Sequence, residues 1–483
     1  MAPPPAPKLN FAMEYCLTRR FRFAAGALLG IWLWVGPVLA DQPTQVLGVR
    51  QVLPNGLVWL FSQQTSLPLV TLNLLIKGGT LLDPPGKEGL ANLTALLLNQ
   101  GTKTRTATQI AQEVDFLGAR LKAEGQDDFA LLSLTVLKKD LAGGLTLFQD
   151  VLRNPTFAPE EMRRKVSQLQ ASFKTDEDEP GVVAARAFDR RLFGPNPYGH
   201  PPKGTPQGLA AITPKDLEVF HSRYYRPNNA ILSLVGDLSP AEAQKLVTQF
   251  FGAWEPAPLP ELKLPPPPPL SGTELQIIDK NITQANIIWG HLGISRENPD
   301  FYAFQVMNYI LGGGGFASRL MDNIRENRGL AYSVGSSFEA GLQPGSFTII
   351  LETKNATALV AVEQALKEVE RLRSQPVAQT ELEDAKSYLV GSFSRKMDSL
   401  GKRAWLMSYV ELYGLGLDYP WRYAGLIRDL TPAAIQKVAA KYLHPERYLL
   451  VVVGNQKDMP NFQQVLTPSG AKENKDVPQK SDR

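Results

Sequence analysis

Cysteine is almost missing from this chain. Cys16 is the only one in 483 residues, so neither a disulfide framework nor a paired-thiolate metal site organises the fold. Histidine is scarce as well. His200, His221, His291 and His444 are far apart, and none has a second His or a Cys one helical turn away, so a metal centre built on them is not expected. Nor is there an excess of charge. The formal net charge is +4, and the first forty residues hold Lys8, Arg19, Arg20 and Arg22 against the single acid Glu14. The remainder is nearly neutral, offers no basic surface and argues against nucleic acid as a partner. The compact acidic run Asp176 to Glu179 reads as solvated surface rather than as a cation site.

What is present begins with an export signal. A basic stretch around Arg19 to Arg22 precedes an apolar run from Phe23 to Val35, then Gly36-Pro37 and the small-residue exit Val38-Leu39-Ala40. Cleavage after Ala40 is expected, which places the protein outside the cytoplasm, in the periplasm; left uncleaved, residues 23–40 approach the length of a membrane anchor. Thr18-Arg19-Arg20 is a faint twin-arginine pattern, weakened by Arg22 where an apolar residue belongs. Cys16 lies before the apolar run, so it cannot become a lipidated new terminus, and the mature chain carries no thiol.

Behind the signal lies a diverged duplication. Tyr225-Arg-Pro227 through Gly236 parallels Leu443-His-Pro445 through Gly454, with Pro and Gly recurring at one offset, and Ala158-Pro-Glu-Glu161-Met162 parallels Ala378-Gln-Thr-Glu381-Leu382. Alternating or continuous apolar runs predict strands at Val46–Leu53, Leu57–Phe61, Val70–Ile76, Phe129–Leu137 and Ala230–Val235. In the second copy they predict Leu275–Asp279, Ala285–Gly290, Phe347–Thr353 and Tyr448–Val453. Helical periodicity covers Gly89–Leu98, Ala107–Gly118, Leu141–Leu152 and Pro159–Lys174, then Pro299–Leu311, Ala317–Asn327, Ala356–Ser374 and Gln379–Met397. The fold class expected is α+β: two homologous sandwich domains, each a mainly antiparallel sheet backed by helices on one face. Their bounds are 41–255 and 273–460. The linker 256–272, with the run Pro265 to Pro269, is expected to be a stiff spacer without packing between the domains, and the polar tail 461–483 to be disordered.

The stretch Gly89-Leu-Ala-Asn92-Leu-Thr-Ala95-Leu96 through Gly101-Thr102 resembles the Gly-Leu-Ala-His-x-x-Glu-His helix of the pitrilysin/insulinase family, the inverted zincins. That motif sets two imidazoles one helical turn apart to grip zinc, with a Glu between them to take a proton from the bound water. By that alignment Asn92, Ala95 and Leu96 stand where His, Glu and His belong, and Ser172, in Ala171-Ser172-Phe173, stands where the family carries a third, carboxylate ligand. None of these can hold the metal or move the proton, so no zinc is expected in this chain.

The second copy keeps more. Gly312, Gly313, Gly314 and Gly315 lead through Phe316-Ala-Ser-Arg-Leu320 into Ile324-Arg325-Glu-Asn-Arg-Gly-Leu-Ala-Tyr332, which resembles the C-terminal signature of the same family. The resemblance implies that Arg325 and Tyr332 bind the substrate backbone near the scissile carbonyl, where a guanidinium and a phenol supply hydrogen bonds to a developing oxyanion. Read without it, Arg325 at a helix end pairs with Glu326 or Glu339, and Tyr332 is a core residue on the strand after Gly329. The four glycines permit close backbone approach or hinge-like movement; a phosphate loop is not expected, because the run follows a helix and lacks the Lys-Ser/Thr ending. A chain of this family without zinc residues but with the Arg/Tyr pair resembles the regulatory subunit of a two-chain peptidase. The expected partner is a zinc-bearing paralogue in a heterodimer acting on a peptide substrate; the alternative is a structural or binding module that has left proteolysis.

Overall fold

The computed structural model describes residues 45–462. The export signal and nearly all of the polar tail therefore lie outside the described residues. Among these, no helix is long and apolar enough to cross a membrane.

The first half runs β1 (Val49–Val52), β2 (Val58–Gln63), β3 (Leu69–Lys77), α1 (Leu90–Leu97), α2 (Ala107–Phe116), β4 (Arg120–Gly125), β5 (Phe129–Leu137) and α3 (Leu141–Arg153). It continues through α4 (Pro159–Glu177), α5 (Pro180–Phe193), α6 (Pro206–Ala211), α7 (Pro214–Tyr224), β6 (Ala230–Gly236) and α8 (Pro240–Phe251). Helices α4 to α8 all open on proline, whose fixed φ suits the first turn and whose missing N–H is not needed there. Thr106, Thr213 and Ser239 cap α2, α7 and α8, and each also donates its backbone N–H to the side chain three residues on.

The second half repeats the plan with β7 (Glu274–Asp279), β8 (Gln284–Leu292), α9 (Phe301–Asn308), β9 (Ala331–Ala340), β10 (Pro344–Lys354) and α10 (Ala358–Ser374). It ends with α11 (Gln379–Ser392), α12 (Leu400–Leu412), α13 (Tyr419–Arg428), α14 (Pro432–Tyr442) and β11 (Leu449–Gly454). The sheets are ordered β1-β2-β6-β3-β5-β4 and β7-β11-β8-β10-β9. Each is antiparallel except for one parallel pair, β2 with β6 and β7 with β11, at equivalent places. Duplicated mixed helix-and-sheet halves are thus what the repeats implied.

Three features differ from the sequence reading. Strand β4 was not foreseen, and β9 entered only as the strand after Gly329; both are edge strands with polar faces. The segment expected as an ordinary helix at Ala317–Asn327 instead takes wide π turns over Met321–Asn327, as does Tyr309–Gly313, which takes in the first two glycines of the run. Most importantly, the halves pack directly on one another, and the linker is no free spacer. Leu270 is buried with α5, and the Asn196 amide donates to Pro265 O at 2.8 Å.

Side-chain alternation explains the packing. On β3, Val70, Leu72, Leu74 and Ile76 point to the helices of their own half, while Thr71, Asn73 and Leu75 point the other way. That second face was expected to be free of helices, yet it is partly covered by α12 from the other half. Ser408 Oγ meets Ser233 Oγ at 2.8 Å, and Arg403 donates to Ser62 Oγ at 2.8 Å and to Leu47 O at 2.9 Å. In return, α5 of the first half lies on the second sheet, where Ala184, Phe188 and Leu192 pack with Ile288, Leu449, Val451 and Val453. Gly290 makes room: a Cβ there would stand 2.8 Å from the Phe188 ring. Burying a residue such as Phe188 or Leu192 stabilises the junction by roughly 1.5–3 kcal/mol each.

At the junction a cavity of about 780 Å³ opens between β3, β4 and β5 on one side and α5, α12 and the β9–β10 hairpin on the other. Asp128 closes its inner end. Its carboxylate accepts from Tyr198 OH (2.5 Å), Tyr413 OH (2.7 Å) and Leu342 N (2.8 Å), tying the β4–β5 turn to two elements of the second half. Three further carboxyls gather there. Burial, then the proximity of Glu339 and other acids, pushes Asp127 and Asp189 up to about 7, and burial raises Glu339.

Two outcomes follow from this junction. Asp128→Ala leaves two phenols and an amide without their acceptor and should lower unfolding stability by about 2–4 kcal/mol, read as an earlier urea midpoint. The raised carboxyls keep protons that the unfolded chain gives up from about pH 4, so the stability they contribute is fully present below that pH and is lost as pH climbs through about 7, a decline opposed by His221 and His291, which the unfolded chain protonates below about pH 6.5. Asp189→Asn should flatten that decline and add about 1–3 kcal/mol at pH 8, measured by thermal or urea unfolding across the pH range.

Candidate functional site

Helix α1 is positioned from its first turn. Gly89 takes φ 101°, and the buried Asp83 carboxylate accepts from Gly89 N and Ala91 N, both at 2.7 Å. This places three of the four degenerate positions, Asn92, Ala95 and Leu96, in definite surroundings. The Asn92 amide oxygen accepts the Gly125 N–H at 2.9 Å, so it is spent on the end of edge strand β4. The helix passes so near that a Cβ on Gly125 would lie 2.5 Å from Asn92 Cα. Ala95 is buried in the core under the first sheet, and Leu96 is half-buried on the same helix.

On α4 the Ser172 hydroxyl donates to Leu169 O at 2.8 Å, and Lys203 Nζ reaches that hydroxyl at 3.4 Å. Lys203 and Arg186 share one carboxylate, Asp176, and both stand over the Phe173 ring, at 4.9 and 5.0 Å. Burial lowers the pKa of both cations. The donor set does not fit zinc: one committed amide oxygen, two hydrocarbon side chains and a hydroxyl beside an ammonium group. Among the described residues no three His, Cys, Asp or Glu side chains are grouped to hold a metal ion.

The histidines are engaged elsewhere. His221 bonds to Leu152 O (2.8 Å) and stacks on Tyr225. His291 donates from Nδ1 to Leu292 O and accepts the His444 N–H at Nε2. Burial holds both down to about 4, so they are neutral. His200, on the cavity wall, bonds to Pro201 O and is likewise depressed by burial.

In the second half the glycine run has a steric reason at each position. A Cβ on Gly312 would stand 2.2 Å from Ser336 N, one on Gly313 2.6 Å from the Asn308 amide, and one on Gly314 2.8 Å from Tyr309 O. Gly315 is open but takes φ +59°, which favours glycine. Close approach therefore accounts for the first three. Ser336 Oγ donates to Asn308 Oδ1 at 2.8 Å and pins the turn to β9.

That turn presents Phe316, and the π turn after it presents Arg325. The guanidinium lies 5.1 Å from the Phe316 ring centre and 5.8 Å from that of Tyr332. Tyr332, at the start of β9, is 70% exposed and so is not a core residue. Glu326 approaches Arg325 only at 3.6 Å and in solvent, an ion pair worth little, and Glu339 sits at the far end of β9 on the junction cavity. The structure thus brings Arg325 and Tyr332 together and adds Phe316, which the motif reading passed over; an aromatic directly after a glycine run was its only signal.

Paired hydroxyls join neighbouring strands in both sheets: buried Thr71 meets half-buried Thr135 at 3.0 Å on the first, and exposed Ser337 meets buried Thr348 at 3.0 Å on the second.

Comparisons with known proteins agree with this geometry. Residues 59–202 match the insulinase domain (peptidase family M16), and residues 211–389 match the domain described as peptidase M16 inactive domain. A Rickettsia bellii protein named an uncharacterized zinc protease is 29% identical over 338 residues, covering 70% of this chain and 81% of that one. A Helicobacter pylori protein named a non-peptidase homolog is 25% identical over 402 residues, covering 82% and 92%. The crystal structure of a Pseudomonas fluorescens peptidase M16 inactive domain superposes with a TM-score of 0.80 at 29% identity, covering 86% of this chain and all of that one. With both halves matched in order, and with the zinc-site positions filled as they are, the chain belongs to the insulinase family of peptidases as one of its non-catalytic members.

Proposed function

We propose that this protein is the zinc-less subunit of a two-chain peptidase. It is exported, pairs with a zinc-bearing paralogue and supplies Arg325 and Tyr332 to a chamber in which the partner's zinc hydrolyses peptides small or unfolded enough to enter. The observation that carries this reading is the state of Arg325 and Tyr332. They are adjacent, Tyr332 is exposed, and the guanidinium's one ion pair among the described residues is a long, solvent-exposed one to Glu326, although no group of possible metal ligands is found among the described residues. An exposed charge held beside a phenol is suited to stabilising negative charge on a substrate bound by another chain.

Co-purification from the native source, with metal analysis of each chain, tests the pairing: zinc should travel with a partner carrying His-x-x-Glu-His. The chain alone should be inert toward unstructured peptides, with or without chelator. In the reconstituted pair, Arg325→Ala should reduce kcat/KM by roughly 10²-fold and Tyr332→Phe by roughly 10-fold or more, with unfolding midpoints unchanged. Full activity in both variants would favour a structural module of the same fold instead.

A further inference from the structure

Aromatic rings flank the Arg325 guanidinium: Phe316 lies 5.1 Å from it and Tyr332 5.8 Å. Its Nη1 also donates to Met321 Sδ at 3.9 Å, and among the described residues Glu326 is the one carboxylate within ion-pair reach, at 3.6 Å and in solvent. Phe316 is 70% exposed, so its ring meets the guanidinium at the surface and not in the core. Its place is also tightly determined. Three glycines whose Cβ atoms would collide with Ser336, Asn308 and Tyr309, followed by one with φ +59°, set the backbone immediately before it. Sequence and packing therefore combine to hold an exposed ring against a charged group.

We propose that Phe316 is a positioning residue for Arg325. Its π face holds the guanidinium by cation–π attraction while leaving the N–H fork without a carboxylate hydrogen bond, Glu326 standing off at 3.6 Å. A carboxylate in the same place would orient the side chain equally well but would cancel the positive potential that the fork offers an oxyanion. The ring does this without touching the reacting atoms. The inference about orientation stands on the free chain; its effect on turnover rests on the proposed function.

The test has one arm for each. In the isolated chain, the Arg325 Hε resonance, identified by its loss in Arg325→Lys, should move out of its ring-current shift in Phe316→Leu and stay in Phe316→Trp. In the reconstituted pair, Phe316→Leu and Phe316→Ala should lower kcat about two- to five-fold with KM unchanged, and Phe316→Trp should restore it. In an Arg325→Ala background Phe316→Leu should cause no further loss. An unmoved Hε resonance, full activity in Phe316→Leu, or equal losses with and without Arg325 would each overturn the proposal, the last two showing an apolar or independent role. A moved resonance together with a silent Arg325→Ala would uphold the orientation and sink the peptidase-subunit reading.

Discussion

The structure depends on a reciprocal exchange of helices. Each sheet has a core-facing side packed against its own helices and a second side that would face water across its central strands. Helix α12 covers part of that side on the first sheet and α5 covers it on the second. The apolar faces of both helices are thereby buried outside their own half, so neither half completes its packing alone. Contacts such as Phe188 over Gly290 and Ser408 on Ser233 make the two copies one folding unit in spite of their tandem origin. The proline-rich connection then has a limited task. It strings along α5, held at Asn196 and Leu270, and the helices set the geometry.

Because the exchanged helices cover only the central strands, the outer ones remain open. These are β4 and β5 in the first half and β9 and β10 in the second. Everything read as functional lies on or beside them. Asn92 is tied to the end of β4, Tyr332 opens β9, and the junction cavity opens on β5 and on the β9–β10 hairpin. The arrangement of cover and opening is thus a property of the packing, and the functional surface is what the packing leaves uncovered.

The duplication was readable because its markers are rigid. Pro227 with Gly236 and Pro445 with Gly454 bracket the buried strands β6 and β11, where continuous apolar runs leave no ambiguity. Strand β4 escaped because Arg120-Leu-Lys-Ala-Glu-Gly mixes charges with few apolar residues, as an edge strand does, and gives no periodic signal. The exchange escaped for another reason: periodicity shows that α5 has an apolar face but not which sheet receives it. At the site, motif alignment located Asn92, Ala95, Leu96 and Ser172. It did not show that Asn92 serves Gly125, thirty-three residues away, or that Lys203 stands beside Ser172. Those are contacts between distant segments, and only three-dimensional packing reveals them.

The neighbourhood of Ser172 bears on how reversible this chain's history is. Lys203 and Arg186 converge there on a single carboxylate, so the surroundings carry surplus positive charge. Putting imidazoles and carboxylates back at the vacated positions would still leave a divalent ion to approach two fixed cations, and would strip edge strand β4 of the amide that anchors its last N–H. The surroundings of those positions, and not the four side chains alone, are therefore unsuited to a metal ion.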